Sequence, residues 1–233
     1  MRYSFRVAIL LFVCVCILGM ERPLSAAGVV GDGTPGSCTE SALNSALAGG
    51  GSVTFNCGAN PVTITITSQK TITDNTTIDG GGLVTLNGGG SIRIFNVQGV
   101  DFVLRNLTVA NGRSSENGGG IYAERLSTLT IENSVFTGNV GDNGGAIATN
   151  GWGANDDGVV VTITGSAFTN NSATAPAIPG GGNGGGGLYL SGGSAAAVTD
   201  STFSGNQSQN GGAIHLLHSN LLATNVTFNN NSV

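Results

Sequence analysis

From about residue 100 onward, apolar and polar residues alternate in short bursts that restart at a regular interval. Four Phe-x-x-Asn segments set the register: Phe136–Asn139, Phe168–Asn171, Phe203–Asn206 and Phe228–Asn231. Aligned on the Phe, one upstream column holds Leu129, Val161, Ala196 and Leu221, and a second holds Ile131, Ile163, Val198 and Ala223. Phe102, Leu104 and Val109 extend the columns one repeat upstream. The intervening residues are mostly polar or small. Period two is the signature of strands with one face turned inward. The next column holds Asn106, Asn133, Gly165, Asp200 and Asn225. These residue types tolerate a left-handed backbone, which predicts a turn at one fixed place in every repeat.

A second element accompanies the first. The tetrapeptide GGAI occurs at Gly144–Ile147 and Gly211–Ile214, with near-copies at Gly118–Ile121 and Gly185–Leu188. Ile121 to Ile147 and Leu188 to Ile214 are each 26 residues apart. Short strands, glycine corners and this period predict a parallel β-helix with one coil per repeat, clearest over residues 100–231. The four Phe would stack in the interior, and Asn139, Asn171, Asn206 and Asn231 would form a ladder of amides at a corner. Two stretches, 150–158 and 172–186, break the period and are expected to be loops.

The region before residue 100 has weaker repeats, with strands at 62–67, 75–86 and 92–97. Residues 37–48 read instead as a short capping helix. Ser37 and Glu40 would form a capping box, Leu43, Ala46 and Leu47 an apolar stripe, and Gly49 its end. Such a helix would cover the open end of the first coil. The chain stops at Val233, where the next Gly-Gly would be due, so the array is expected to continue beyond it.

Composition fits a strand-and-turn architecture: 40 of 233 residues are Gly and only 9% are charged. Arg2, Arg6 and the apolar run Val7–Met20 form a secretory signal, with cleavage placed after Ala27 and a domain over 28–233. Removal of residues 1–27 leaves five basic and twelve acidic residues, a net charge of −7. Such a chain is a poor nucleic-acid ligand. It contains no second apolar span, so no transmembrane segment is expected in the mature chain. Export leaves Cys38 and Cys57, for which a disulfide is the default in an oxidising compartment.

The pairing of GGAI with Phe-x-x-Asn resembles the repeat of the polymorphic outer-membrane protein family, secreted β-helix proteins that include adhesins. "TIDGGGLVTLNG" (77–88) also resembles the early coils of pectate-lyase-like proteins. Together these resemblances imply an all-β, right-handed parallel β-helix. They also imply exposure at a cell surface, with outer-membrane attachment through a part beyond this sequence.

Candidate chemistry is sparse. Asp156 and Asp157 are the best carboxylate pair for a calcium ion, with Trp152, the single Trp, close enough in sequence to stack on a sugar. A solvated turn explains the same residues. Arg93, Arg105, Arg113 and Arg125 are the available bases for a polysaccharide lyase. Arg105 aligns with Glu132 on the next coil and reads more simply as half of a surface ion pair. The Arg-x-Pro-x-x-Arg pattern of pectate lyases is absent. After each glycine corner comes an outward column of Tyr122, Ala148, Tyr189 and His215, a row of rings suited to an extended glycan. The expected function is an exported, adhesin-like protein that binds a polysaccharide or cell-surface glycan without catalysis. The alternatives are a calcium-dependent lyase of an acidic polysaccharide and a structural spacer.

Overall fold

The computed structural model describes residues 28–150, 157–176 and 183–233. The predicted signal segment lies outside these residues. The described chain is a parallel β-solenoid of about seven turns with one α-helix. Each turn presents strands on three main faces, and Val140–Gly141 pairs with Ser172–Ala173 in a short two-stranded sheet at a corner. The first face runs from Gly28–Val30 and Gly51–Phe55 through Thr128–Glu132, Val160–Thr164 and Ala195–Thr199 to Asn220–Thr224. The second face ends in Val135–Thr137, Ala167–Thr169, Thr202–Ser204 and Thr227–Asn229, and it joins the first in one 13-stranded sheet because Thr76–Asn87 and Asp101–Ala110 run unbroken through the corner between them. The third face is a six-stranded sheet from Lys70–Ile72 to Ile214–Leu217.

Every pairing is parallel, and the registers reproduce the sequence columns. Leu129 pairs with Val161, Val161 with Ala196, and Ala196 with Leu221. Phe136, Phe168, Phe203 and Phe228 follow one another in the same way. Their rings stack at centroid distances of 5.0, 4.6 and 5.5 Å. The first three Phe are fully buried, but Phe228 is 51% exposed. Phe228 lies on the last described coil, and Leu216, near that end, is likewise exposed.

The turn column is left-handed throughout, with φ of +53° at Asn106, +47° at Asn133, +60° at Gly165, and +52° at both Asp200 and Asn225. The second corner also needs glycine. Gly118, Gly144, Gly185 and Gly211 all have positive φ, and a Cβ on any of them would collide with a backbone carbonyl.

The amide ladder is continuous. The Asn139 side chain and backbone N–H both donate to Asn171 Oδ1, and Asn171 does the same to Asn206 and Asn206 to Asn231. Each amide also donates to a carbonyl one coil back, such as Phe136 O for Asn171. Buried polar groups that are fully paired in this way fix the register between coils.

The cap differs from the sequence expectation in detail. The helix spans Glu40–Leu47 and its N-cap is Thr39, whose hydroxyl accepts from Ala42 N. Ser37 is not the cap because it closes a 3-10 turn, Pro35–Ser37, and its hydroxyl is bonded to Asp32 N and Thr34 O. Glu40 does not reach back to Ser37. Its carboxylate accepts from the backbone N–H of Thr67 and Ser68 and forms an ion pair with Lys70, which is 5% exposed. Burial disfavours the Glu40 carboxylate, but bonds from Lys70 and Thr67 outweigh it and hold its pKa down at about 2. Leu43 and Ala46 face the core as expected. The Cys38–Cys57 disulfide, Cα–Cα 5.7 Å, ties the cap to the first coil.

Candidate functional site

The outward column of the third face was the main sequence candidate. Tyr122 is in register with Ala148, Ala148 with Tyr189, and Tyr189 with His215. The inward neighbours Ile121, Ile147 and Leu188 are fully buried, as period-two alternation requires. The Tyr189 and His215 rings stack nearly parallel, 5.6 Å apart. Tyr189 is only 5% exposed, and that burial raises its hydroxyl pKa. It is therefore a packed ring and not an open surface platform. Ala148 separates this pair from Tyr122, so the expected row of rings divides into two.

Tyr122 is half-buried, and the Arg93 guanidinium lies over its ring, 5.0 Å from the centroid. Burial raises the Tyr122 pKa, and the charge of Glu124 adds to the effect. Arg93 is held by Gly118 O, Ser114 Oγ and Asn117 O at 3.0, 2.8 and 2.8 Å, and by Glu116 at 3.2 Å. One face of the tyrosine is thus covered by a guanidinium that is itself fixed.

Beside this pair is an open cleft of about 420 Å³ lined by Ser115, Glu116, Asn117, Tyr122 and Asp142. A second cleft of about 300 Å³, containing Arg93 and Arg113, shares Ser115 and Glu116 with it. The walls are built by the corner loop between Asn111 and Gly120. Asp142 N donates to Glu116 O, and Asn143 Nδ2 to Asn117 Oδ1 at 2.9 Å. Asn143 Oδ1 accepts in turn from Gly184 N. This second amide series was missed in the sequence. Its signal was the Asn that precedes Gly-Gly at Asn117, Asn143 and Asn210.

Four of the five described basic side chains are spent on ion pairs: Lys70 with Glu40, Arg93 with Glu116, Arg105 with Asp79, and Arg125 with Asp157. Arg105 sits in register with Glu132, yet its partner is Asp79 on the preceding coil, at 2.9 Å. The reason is that Asp79 also accepts from Asn106 Nδ2 and Gly81 N, which aim its carboxylate at the guanidinium. Burial opposes ionisation of Asp79, but these bonds and the Arg105 charge lower its pKa overall.

Trp152 and Asp156 lie outside the described residues. Asp157 lies 3.8 Å from Arg125, and its backbone carbonyl accepts from Leu126 N. Among the described residues, no three metal-binding side chains gather. His218 occupies a left-handed turn.

No helix among the described residues is long and apolar enough to cross a membrane. No curated protein and no solved structure matches the chain. A family model, the Chlamydia polymorphic membrane protein repeat, matches residues 200–216. That segment holds the Asp200 turn, Phe203, Asn206 and the GGAI corner at Gly211–Ile214. The chain thus carries a repeat of polymorphic membrane protein type, built into a parallel β-solenoid that fits a cell-surface β-helix protein.

Proposed function

We propose that this chain is an exported, adhesin-like surface protein that binds a glycan through the cleft beside Tyr122. The observation that carries the reading is the composition of that cleft. An aromatic edge, two carboxylates and an amide converge on one open depression, the mixture that orients sugar hydroxyls. Binding is favoured over cleavage because the bases a lyase would need are held in ion pairs, apart from Arg113.

The test is a glycan-array screen of the purified protein, followed by titration of the best ligand. Tyr122→Ala and Asp142→Asn are expected to weaken binding by about tenfold each. Unchanged affinity in both variants removes the cleft from the argument. Release of unsaturated sugars from polygalacturonate with calcium would replace the adhesin reading by the lyase one.

A further inference from the structure

The third-face sheet has one strand at its N-terminal edge, Lys70–Ile72, which among the described residues pairs only with Phe95–Val97. Lys70 N donates to Ile94 O, and Ile72 O accepts from Gln98 N, so Lys70 and Ile72 face that neighbour. Alternation along a parallel ladder turns the N–H and C=O of Thr71 the other way. The cap does not meet them. The helix Glu40–Leu47 packs on Gly28–Val30 and Gly51–Phe55, and its Glu40 end is pinned at Thr67, Ser68 and Lys70. Among the described residues, the helix thus packs on the first face, and no strand pairs with the outer edge of the third.

Between the C-terminal end of that helix and the edge strand runs a groove of about 290 Å³. Leu47 and Ile72 supply apolar wall, and the backbone of residues 69–73 supplies the other side. The groove is electronegative. The helix ends there with the negative pole of its dipole, and the exposed carboxylate of Asp74 stands at the rim. The one ammonium in the lining, on Lys70, is neutralised by Glu40 and also donates to Ser68 O.

We infer that this edge is a docking site for an extended, lysine- or arginine-bearing peptide strand, which would add to the sheet by main-chain pairing at Thr71. Strand addition to an exposed edge takes its affinity from backbone hydrogen bonds and its selectivity from the side chains alongside. Here the selectivity is for positive charge, supplied by Asp74 and the helix terminus. The site is separate from the Tyr122 cleft and does not depend on glycan binding.

The probe is an acetylated, amidated decapeptide that alternates lysine with valine and threonine, titrated into the purified protein by fluorescence anisotropy. Saturable binding is expected, with amide exchange at Thr71 slowed by about tenfold or more. Thr71→Pro removes the one outward N–H and leaves the ladder to Phe95–Val97 untouched, so it should abolish binding without moving the thermal midpoint. Asp74→Asn should weaken binding about threefold and flatten its salt dependence. Should Thr71→Pro fail to fold, the decapeptide N-methylated at alternate residues serves the same purpose with the unaltered protein and should not bind. Binding that survives both the proline and the N-methylation overturns the proposal. Equal binding of a glutamate-for-lysine peptide overturns the charge selectivity. Protection of Thr71 that grows with protein concentration and without peptide assigns the edge to a second copy of this chain instead.

Discussion

In the coils between Thr128 and Ser204, the Phe, Ser and Asn columns of the interior are filled by copies of themselves and the others by similar apolar residues. The first coil, Gly51–Ile72, is held by side chains that occur once. Phe stacks on Phe and Asn bonds to Asn in the repeated coils. At the capped end a disulfide, one buried ion pair and the cap helix do the same work. The difference follows from what lies next door. An interior coil has an equivalent coil on each side, so one solution serves many times. The first coil has an equivalent on one side only, and the other side needs parts of its own. Repetition spreads stability over many like contacts, whereas the cap concentrates it in a few.

Four experiments set these two regimes against each other. Phe168→Ala removes a fully buried ring from the middle of the stack and should cost about 3–5 kcal/mol. Because coils touch only neighbours, hydrogen exchange should accelerate in the adjacent coils and leave the cap unchanged. Acceleration throughout the chain would show that the repeats are not independent of the cap. Next comes the disulfide. Cys38→Ala with Cys57→Ala opens a link across a separation of 19 residues and should cost about 3 kcal/mol. Denaturant melts should show the loss confined to the capped end.

The third experiment is a pH titration of stability. Glu40 has the ordinary glutamate pKa of 4.5 when unfolded and one of about 2 when folded. A folded pKa below the unfolded one means the contribution is complete above about pH 4.5 and disappears as pH falls through about 2. Discounted for the part of the carboxylate that water reaches, the loss is about 2 kcal/mol. Glu40→Gln should lower stability at neutral pH and flatten this acid limb, and an unchanged limb would assign it to other carboxylates. The smallest effect belongs to the turn column. Gly165→Ala places a Cβ at φ +60° and about 2.5 Å from Asn133 Oδ1, costing about 1–2 kcal/mol. Asn133→Gly should change stability by only a few tenths of that. A larger loss for Asn133 than for Gly165 would mean that its side chain, and not its backbone angle, is what the turn needs.

The same contrast explains what could be read in advance. Phe136, Phe168 and Phe203 were legible because each repeat supplies an independent copy of the pattern. The column from Asn106 to Asn225 was legible because a left-handed turn restricts residue type. Glu40 and Lys70 were not, since they are 30 residues apart and occur once. Ser37 and Thr39 are chemically equivalent caps, and only the turn at Pro35–Ser37 decides between them. The site was harder still. Alternation puts Tyr122 and Tyr189 in one column, but it cannot report what covers that column. Arg93 lies over Tyr122 from a position 29 residues earlier in the chain, and Tyr189 is buried; neither follows from alternation. The amide at Asn143 that shapes the cleft has a weaker signal, a single Asn before Gly-Gly in a chain rich in both residues.

The amide ladder also has a mechanical meaning. Every rung joins one coil to the next and none skips a coil, so force applied along the axis passes through each junction in series. Force applied across the axis is shared among all junctions at once. A solenoid held this way is stiff to shear and comparatively easy to peel, and the disulfide with the Glu40–Lys70 pair acts as a stop at which peeling from the far side arrests.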